Sequence, residues 1–513
     1  MSHQHSFGSG FFRKTLWPIF PNEVKRVVSQ ALLLFLVCFD YSLLRCMKDT
    51  VVITASSAAV IPFIKVWMLL PMAILFTFLY VKFSNKFSET VVFPSIISAF
   101  LAFFLVFAFV LYPNNESLHL ITIPNFLREI LPQGLSGLIA MIEYWSFTLF
   151  YVIAELWSNI VLSILTWGFI NSTTSMKEAP RFYAVLSVAS NVAAIAAGLC
   201  ANLIVSGPLK NNWELSQKYM VLIISISGIV IMFLYNWLQK TVYKNNSSVA
   251  LGKVNKEKFS LTQSFIEIKN SKHLRYLAII VVSYFFVINT VEVIWKDQVR
   301  LAYPSPAEFN YYMNIVTTLI GIISTVLGVF VATLINKFGW TKTALLTPLV
   351  LLLTSSLFFG FIVFGHELVG ITSILGTTPL MIAVVLGAFQ NCVSKGTKYS
   401  IFDATKEMAF VPLSRLSKLR GKAAIDGIIS RLGKSGASFA LQAMILCFGS
   451  LTACTPYIGF FMVLVLINWF GSTKLLGKII DQSLQQEGIL SDEEGSGEKV
   501  FAKRPLELAT APK

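Results

Sequence analysis

The chain has 513 residues, 55% of them hydrophobic and only 13% charged, with a mean hydropathy of +0.70. That is more apolar surface than a soluble core can hide, and it excludes an ordinary soluble domain in favour of a multi-span membrane protein. The net charge of +15 does not argue for nucleic-acid binding, because the basic residues cluster in short segments between apolar runs, where positive charge orients membrane spans.

Residues 1–26 carry Arg13, Lys14, Lys25 and Arg26 among aromatics and prolines, with neither a signal-peptide core nor a long transit peptide, and are expected to remain in the cytoplasm. Apolar runs of about 20 residues, enough to cross a bilayer, follow near 27–47, 60–82, 91–112, 137–168, 181–204 and 219–239. A basic polar segment, 240–273, separates them from runs near 274–299, 310–335, 343–365, 376–405, 422–448 and 454–474. The pattern predicts an all-α membrane protein of twelve transmembrane helices in two six-helix halves, 27–239 and 274–476. That layout is similar to the major facilitator superfamily, whose site lies between the halves near the midplane. Residues 477–513 are polar and rich in small residues, and are expected to form a disordered cytoplasmic tail.

With both termini inside, the cytoplasmic segments hold Lys82, Lys86, Lys177, Arg181, the middle loop, Lys337, Lys342 and the cluster at 415–422. The opposite loops hold few cations, namely Arg128, Lys210, Lys218 and Arg300, as the positive-inside rule requires for this span count. The halves also echo each other: a Lys-Asp pair closes the first span at Lys48-Asp49 and the seventh at Lys296-Asp297. Six cysteines, Cys38, Cys46, Cys200, Cys392, Cys447 and Cys454, lie in or beside apolar runs without metal-ligand spacing, so neither a disulfide framework nor a metal or other cofactor is expected.

The informative residues are the ionisable ones within apolar runs. A charge at the bilayer centre costs roughly 2.5–3.5 kcal/mol on insertion scales, so such groups are paired, hydrated or snorkelling. In the first run Tyr41, Arg45 and Lys48 share one helical face with Asp49 beside it; the alternative is that they mark the outer interface. Lys65 lies about one turn inside the second run. Glu155 sits deep in the fourth on a face with Tyr144, Thr148, Tyr151 and Asn159, which reads as a cavity lining or as an interhelical hydrogen-bond seam. In the seventh run Phe285, Asn289, Glu292 and Lys296 form a stripe suited to a nucleobase and phosphates, or to core packing with one ion pair. Gln390, Asn391, Lys395, Lys398, Tyr399 and Asp403 form a further polar series, part of it at the cytoplasmic mouth.

The stretch GKAAIDGIISRLGKSG at 421–436 threads charges through a membrane run. As a helix it puts Lys422, Asp426, Ser430 and Lys434 on one ridge. Gly433-Lys434-Ser435 matches the end of a phosphate loop, but Gly427 stands one residue too early and no strand precedes it, so an ATPase is not indicated. A lysine held in an apolar helix to meet an anion is the remaining reading.

LRCMKDTVV at 44–52, IPFIKVWMLLPMA at 61–73, AELW at 154–157, VEVIWK at 291–296, KYSIFDATKEMAFVPL at 398–413 and the 421–436 stretch together resemble the nucleotide transporter family, the ATP/ADP translocases of plastids and obligate intracellular bacteria. The resemblance covers nearly all of 25–475. It implies an antiporter, not an enzyme, that exchanges external ATP for internal ADP, with or without phosphate, by alternating access. It also implies functional charges at Lys65, Glu155, Glu292 and Lys434. The short N-terminus points to the bacterial inner membrane rather than to a plastid, and a monomer is expected. One departure is Ser414-Arg415-Leu416-Ser417, where acidic residues are more usual in relatives; it is expected to affect the surface only.

ATP carries about four negative charges and ADP about three, and such anions enter a low-dielectric site only against cations. The expected phosphate ligands are Lys65 and Lys434 with some of Arg45, Lys48 and Lys296; Glu155 and Glu292 are expected to hold lysines in place. Asn289, Tyr151 and Asp426 complete the candidate set. A proton-coupled nucleotide importer, with Glu155, Glu292 or Asp426 titrating, is the rival transport reading. The five histidines, His3, His5, His119, His273 and His366, fall in the leading segment or in expected loops and pair with no nucleophile, which gives an enzyme no support.

Overall fold

The computed structural model describes residues 19–175, 178–207, 212–242, 261–365, 367–413 and 415–486. Among them every regular element is helical. Among the described residues, eleven helices are long and apolar enough to cross a membrane. In the first half they are α1 (Val24–Ala55), α2 (Val60–Lys86), α3 (Glu89–Leu111), α4 (Trp145–Thr173), α5 (Arg181–Ser206) and α6 (Trp213–Lys240). The second half has α7 (Lys272–Ala302), α8 (Pro306–Gly328), α9 (Lys337–Val363), α10 (Pro379–Ala409) and α12 (Leu451–Gln482). Between α10 and α12 stands the helical run 415–448, here α11. Asp426, Arg431, Lys434 and Gln442 lower its hydropathy, and the sequence count of twelve includes it. The chain is an all-helical, multi-pass membrane protein.

Local chemistry sets several boundaries. The side chains of Asn212, Ser271 and Thr378 accept hydrogen bonds from the backbone N–H groups of Leu215, Leu274 and Met381, capping α6, α7 and α10. Pro306 and Pro379 sit in the first turns of α8 and α10, where a missing N–H costs nothing.

The structure differs from the sequence reading in places. The run expected at 137–168 is broken at Tyr144, with φ −98° and ψ 48°, into a short helix Ser136–Glu143 and the span α4. The Thr148 hydroxyl donates to the Met141 carbonyl at 3.0 Å, satisfying an acceptor that the break leaves unpaired. Helix Thr122–Ile130 lies between α3 and α4 with Ile123, Phe126 and Ile130 exposed, as an interfacial helix would present them. A helix Leu261–Asn270 occupies part of the 240–273 segment, and the final helix continues to Gln486. Residues 1–18 and 487–513, and with them most of the two predicted terminal segments, lie outside the described residues.

Among the described residues six of the long helices contain π-helical turns: Ile64–Leu69 in α2, Phe107–Leu111 in α3, Trp157–Thr166 in α4, Leu238–Val242 at the end of α6, Lys398–Phe402 in α10 and Ile425–Ile429 in α11. Such turns shift the side chains that follow and often mark functional positions. Three of them fall on or beside Lys65, Glu155 and Asp426.

The halves meet along α5 and α8. A Cβ on Gly198 would stand 2.6 Å from the Asn314 carbonyl oxygen, and one on Gly321 2.8 Å from that of Asn191. Each helix thus gives its partner's backbone a glycine to pack on, the usual way membrane helices come close without a hydrophobic driving force. The halves also meet where α1 and α7 end. Gln442 of α11 donates to the Pro62 carbonyl at 2.8 Å and accepts from the Trp67 indole at 3.0 Å. By contrast, the second part of α2, Leu70–Lys86, has no buried residue.

Candidate functional site

The face of α7 predicted as a stripe organises the site, because each of its members meets a different helix. The Phe285 ring lies under the Lys434 ammonium of α11, 4.9 Å from its centroid. The Asn289 carboxamide donates to the Phe285 carbonyl at 2.7 Å, which turns its oxygen toward Lys65 of α2, whose Nζ donates to it at 3.1 Å. Glu292 accepts Lys296 at 2.9 Å and Lys395 of α10 at 3.1 Å, with the Arg45 guanidinium of α1 at 3.9 Å. Lys296 reaches Asp49 of α1 at 2.8 Å.

From Asp49 the network returns through the first half. Lys48 donates to Asp49 at 3.0 Å and pairs with Glu155 of α4 at 3.2 Å. Its Nζ also lies 3.7 Å from the centre of the Tyr151 ring. Six basic residues (Arg45, Lys48, Lys65, Lys296, Lys395 and Lys434) and three acids (Asp49, Glu155 and Glu292) therefore form one constellation on α1, α2, α4, α7, α10 and α11. Buried ion pairs gain little net stability but are expensive to break singly, so such a set reports on function more than on folding.

Burial within the constellation is graded. The Lys48, Asp49 and Lys296 side chains are 4%, 0% and 6% exposed, whereas Arg45 and Glu155 are 19% and 25% exposed. Lys65 is half-buried and Lys434 exposed. The sealed layer lies toward the ends of α1 and α7, and the accessible residues lie on its other side.

All the predicted site residues except Asp426 fall in or against this constellation. Asp426 pairs with Lys406 at 2.7 Å, and Lys422 with Glu407 at 2.5 Å. The predicted ridge Lys422–Asp426–Ser430–Lys434 assumes a straight α-helix, but Ile425–Ile429 winds as a π turn, so Lys422 and Asp426 leave the face that Lys434 follows. In α4, Tyr151 and Glu155 share the Lys48 face, while Asn159 is exposed within its π turn and Thr148 serves the helix break. His273, expected in a loop, is the second residue of α7, buried, with Nε2 2.6 Å from the Ala409 carbonyl oxygen.

Two members were underweighted by sequence reasoning. Lys395 belongs to a polar series assigned in part to the mouth, yet it sits on Glu292; its signal was depth within the run. Asp49, next to Lys48 in the chain, bridges the halves by accepting both Lys48 and Lys296. A polar chain beside it also escaped notice: Asn314 donates to Asn310 at 2.7 Å, and Asn310 to Thr50 at 2.9 Å, with Cys46 3.3 Å from Thr317. The spacing of Asn310, Asn314 and Thr317 on one face of α8 would have marked this α1–α8 seam.

Comparison with known proteins sets the chain beside ADP,ATP carriers. The chain is 38% identical over 504 residues to ADP,ATP carrier protein 1 of Chlamydia pneumoniae, covering 95% of this chain and 98% of that one. It is 40% identical to ADP,ATP carrier protein 2 of the same organism, covering 91% of each. A chloroplastic ADP,ATP carrier protein 1 of Arabidopsis thaliana is 40% identical over 88% of this chain and 73% of its own length. In fold it is similar to the crystal structure of a bacterial homologue of the iron transporter ferroportin in an inward-facing state, with a TM-score of 0.57 at 13% identity over 88% of this chain and 99% of that one. The family model described as TLC ATP/ADP transporter matches residues 2–479, and the chain belongs to that family.

Proposed function

We propose that the protein exchanges ATP for ADP across a bacterial inner membrane by alternating access of two six-helix halves, 27–239 and 274–476. The observation that carries this reading is the central constellation, in which six basic residues outnumber three acids across both halves. Lys65, Lys434 and Arg45, the more accessible cations, take the phosphates. Lys48, Lys296 and Lys395 set the positive field and are held in position by Asp49, Glu155 and Glu292. Phe285 and Asn289 offer a ring and an amide for the remainder of the nucleotide.

The excess of positive charge supplies the coupling. An empty carrier that closed around these cations would leave them without water and without counter-charge, a costly state in low dielectric. A bound nucleotide neutralises them, so reorientation favours the loaded carrier, as exchange requires. Lys82, Lys86, Arg181, Lys337 and Lys342 lie at the face where α1 begins, which the positive-inside rule assigns to the cytoplasm together with both termini. The unburied second part of α2 lies on that side, which supports reading this arrangement as open to the cytoplasm. Phosphate accompanying ADP and a monomeric carrier complete the proposal.

Titration of purified protein with ADP and ATP tests the site. Lys65→Gln and Lys434→Gln are expected to weaken binding by at least about tenfold each, the size of one lost charge-assisted contact. Unchanged affinity in both would remove these lysines from the phosphate site.

A further inference from the structure

Apart from the charge constellation, a cavity of about 640 Å³ opens between α2, α3 and α4. Its walls are Phe76 and Phe83 of α2, Phe100 and Phe103 of α3, and Ile153 and Ile160 of α4. Lys82 and Lys86, one helical turn apart on α2, stand at its rim. From Phe87 at the end of α2 to Phe76 the groove follows eleven residues of helix, about 16 Å, so it runs from the membrane interface well into the hydrocarbon layer.

This is an apolar slot under a pair of cations placed at the height of lipid phosphates. A nucleotide fits it poorly, because the depth of the slot offers aromatic and aliphatic carbon where a base and ribose need hydrogen-bond partners. A phospholipid matches both parts: an acyl chain for the walls and an anionic headgroup for the lysines, the chemistry by which basic pockets between membrane helices hold acidic lipids. We propose that the groove holds one acyl chain of an anionic glycerophospholipid with its phosphate between Lys82 and Lys86. The bound lipid braces the part of α2 that has no buried residue of its own, and α2 carries Lys65 at its other end.

The test is native mass spectrometry of the detergent-purified full chain supplied with phosphatidylglycerol or with phosphatidylcholine at equal concentration. The expected result is one retained phosphatidylglycerol per chain, at least about tenfold over phosphatidylcholine. Retention falls about tenfold in Lys82→Gln/Lys86→Gln, which removes the headgroup partners, and in Ala99→Trp, which fills the slot beside Phe100 and Phe103. ADP titration of each variant reports that it is folded, and Ile96→Trp replaces Ala99→Trp if that variant does not bind ADP. Equal retention of the two lipids overturns the proposal, as does unchanged retention in the double variant. Loss in the lysine variant with none in the filled slot overturns the acyl-chain assignment. Displacement by glycerol 1-phosphate would show a soluble-anion site, and displacement by ADP a nucleotide site; either result contradicts a lipid site.

Discussion

Asp49 of α1 and Lys296 of α7 are joined at 2.8 Å across the two halves, and Lys48 holds the other oxygen of the same carboxylate at 3.0 Å. One acid thus counters two cations in a layer closed to solvent. Asp49→Asn removes the carboxylate that the two lysines share and leaves Lys48 only Glu155 and Lys296 only Glu292, a loss on the order of 3 kcal/mol at most. The expected outcome is a lower thermal unfolding temperature and exchange slowed at least about tenfold. Added ADP should raise the unfolding temperature of the variant more than that of the unaltered protein, because its phosphates return negative charge to the layer. Scanning fluorimetry with and without ADP measures this; an equal nucleotide shift in both proteins would contradict the charge-balance account.

Glu292 holds Lys296, Lys395 and Arg45 together. Glu292→Gln should leave the constellation more positive, so the affinity for ADP rises or holds while turnover falls by about tenfold or more. Lys395→Gln should lose turnover too, and the double variant should lose less than the product of the two, with a coupling of about 1 kcal/mol or more between residues in direct contact. Additive losses would mean that Lys395 acts apart from Glu292.

Much of this site was legible in the sequence because a charge in a long apolar run needs a partner or a cavity, and helical spacing says which charges travel together. Phe285, Asn289, Glu292 and Lys296 were grouped on that basis, and each does receive a partner from another helix. What spacing cannot supply is the partner. Nothing local to Lys395 points to Glu292, and nothing local to Asp49 points to Lys296, since those pairings depend on how α1, α7 and α10 pack. Asp426 illustrates a second limit: a π turn is not visible in a 3.6-residue period, and one such turn is enough to take a residue off the expected face. The span count shows the same tension, because the charges that make α11 interesting also keep it out of the eleven helices apolar enough to cross a membrane.

The α5–α8 contact gives a prediction independent of charge. Gly321→Val would set a side chain against the Asn191 carbonyl and the Ile195 side chain, whose nearest atom stands 2.7 Å from the new Cβ. Exchange is expected to fall at least about tenfold, while Gly436→Ala, at a position with nothing within 4 Å, leaves it within about twofold. Equal rates in the two variants would mean that the halves do not need this close approach.

Outside the spans, Glu178 ties the segment between α4 and α5 to Arg26 at 3.0 Å. Burial pushes its carboxyl up, but the Ser175 backbone N–H, the Arg26 guanidinium and the Ser175 hydroxyl outweigh this and hold it below the ordinary value of 4.5. A group with a depressed folded pKa contributes stability above its unfolded value and loses it as the pH falls through the folded one. The unaltered protein should therefore lose part of its thermal stability on acidification below about 4.5, and Glu178→Gln should lack that part while being less stable at neutral pH. Parallel pH profiles would exclude this contact as the source.

The most direct test of the central claim is uptake of labelled ATP into vesicles carrying the purified protein, loaded with ADP, with buffer alone, or with buffer of opposite pH. The account predicts uptake only with internal ADP, and loss of that uptake in Lys65→Gln and Lys434→Gln. Uptake into vesicles without nucleotide, driven by the pH step, would contradict obligate exchange and favour a proton-coupled importer.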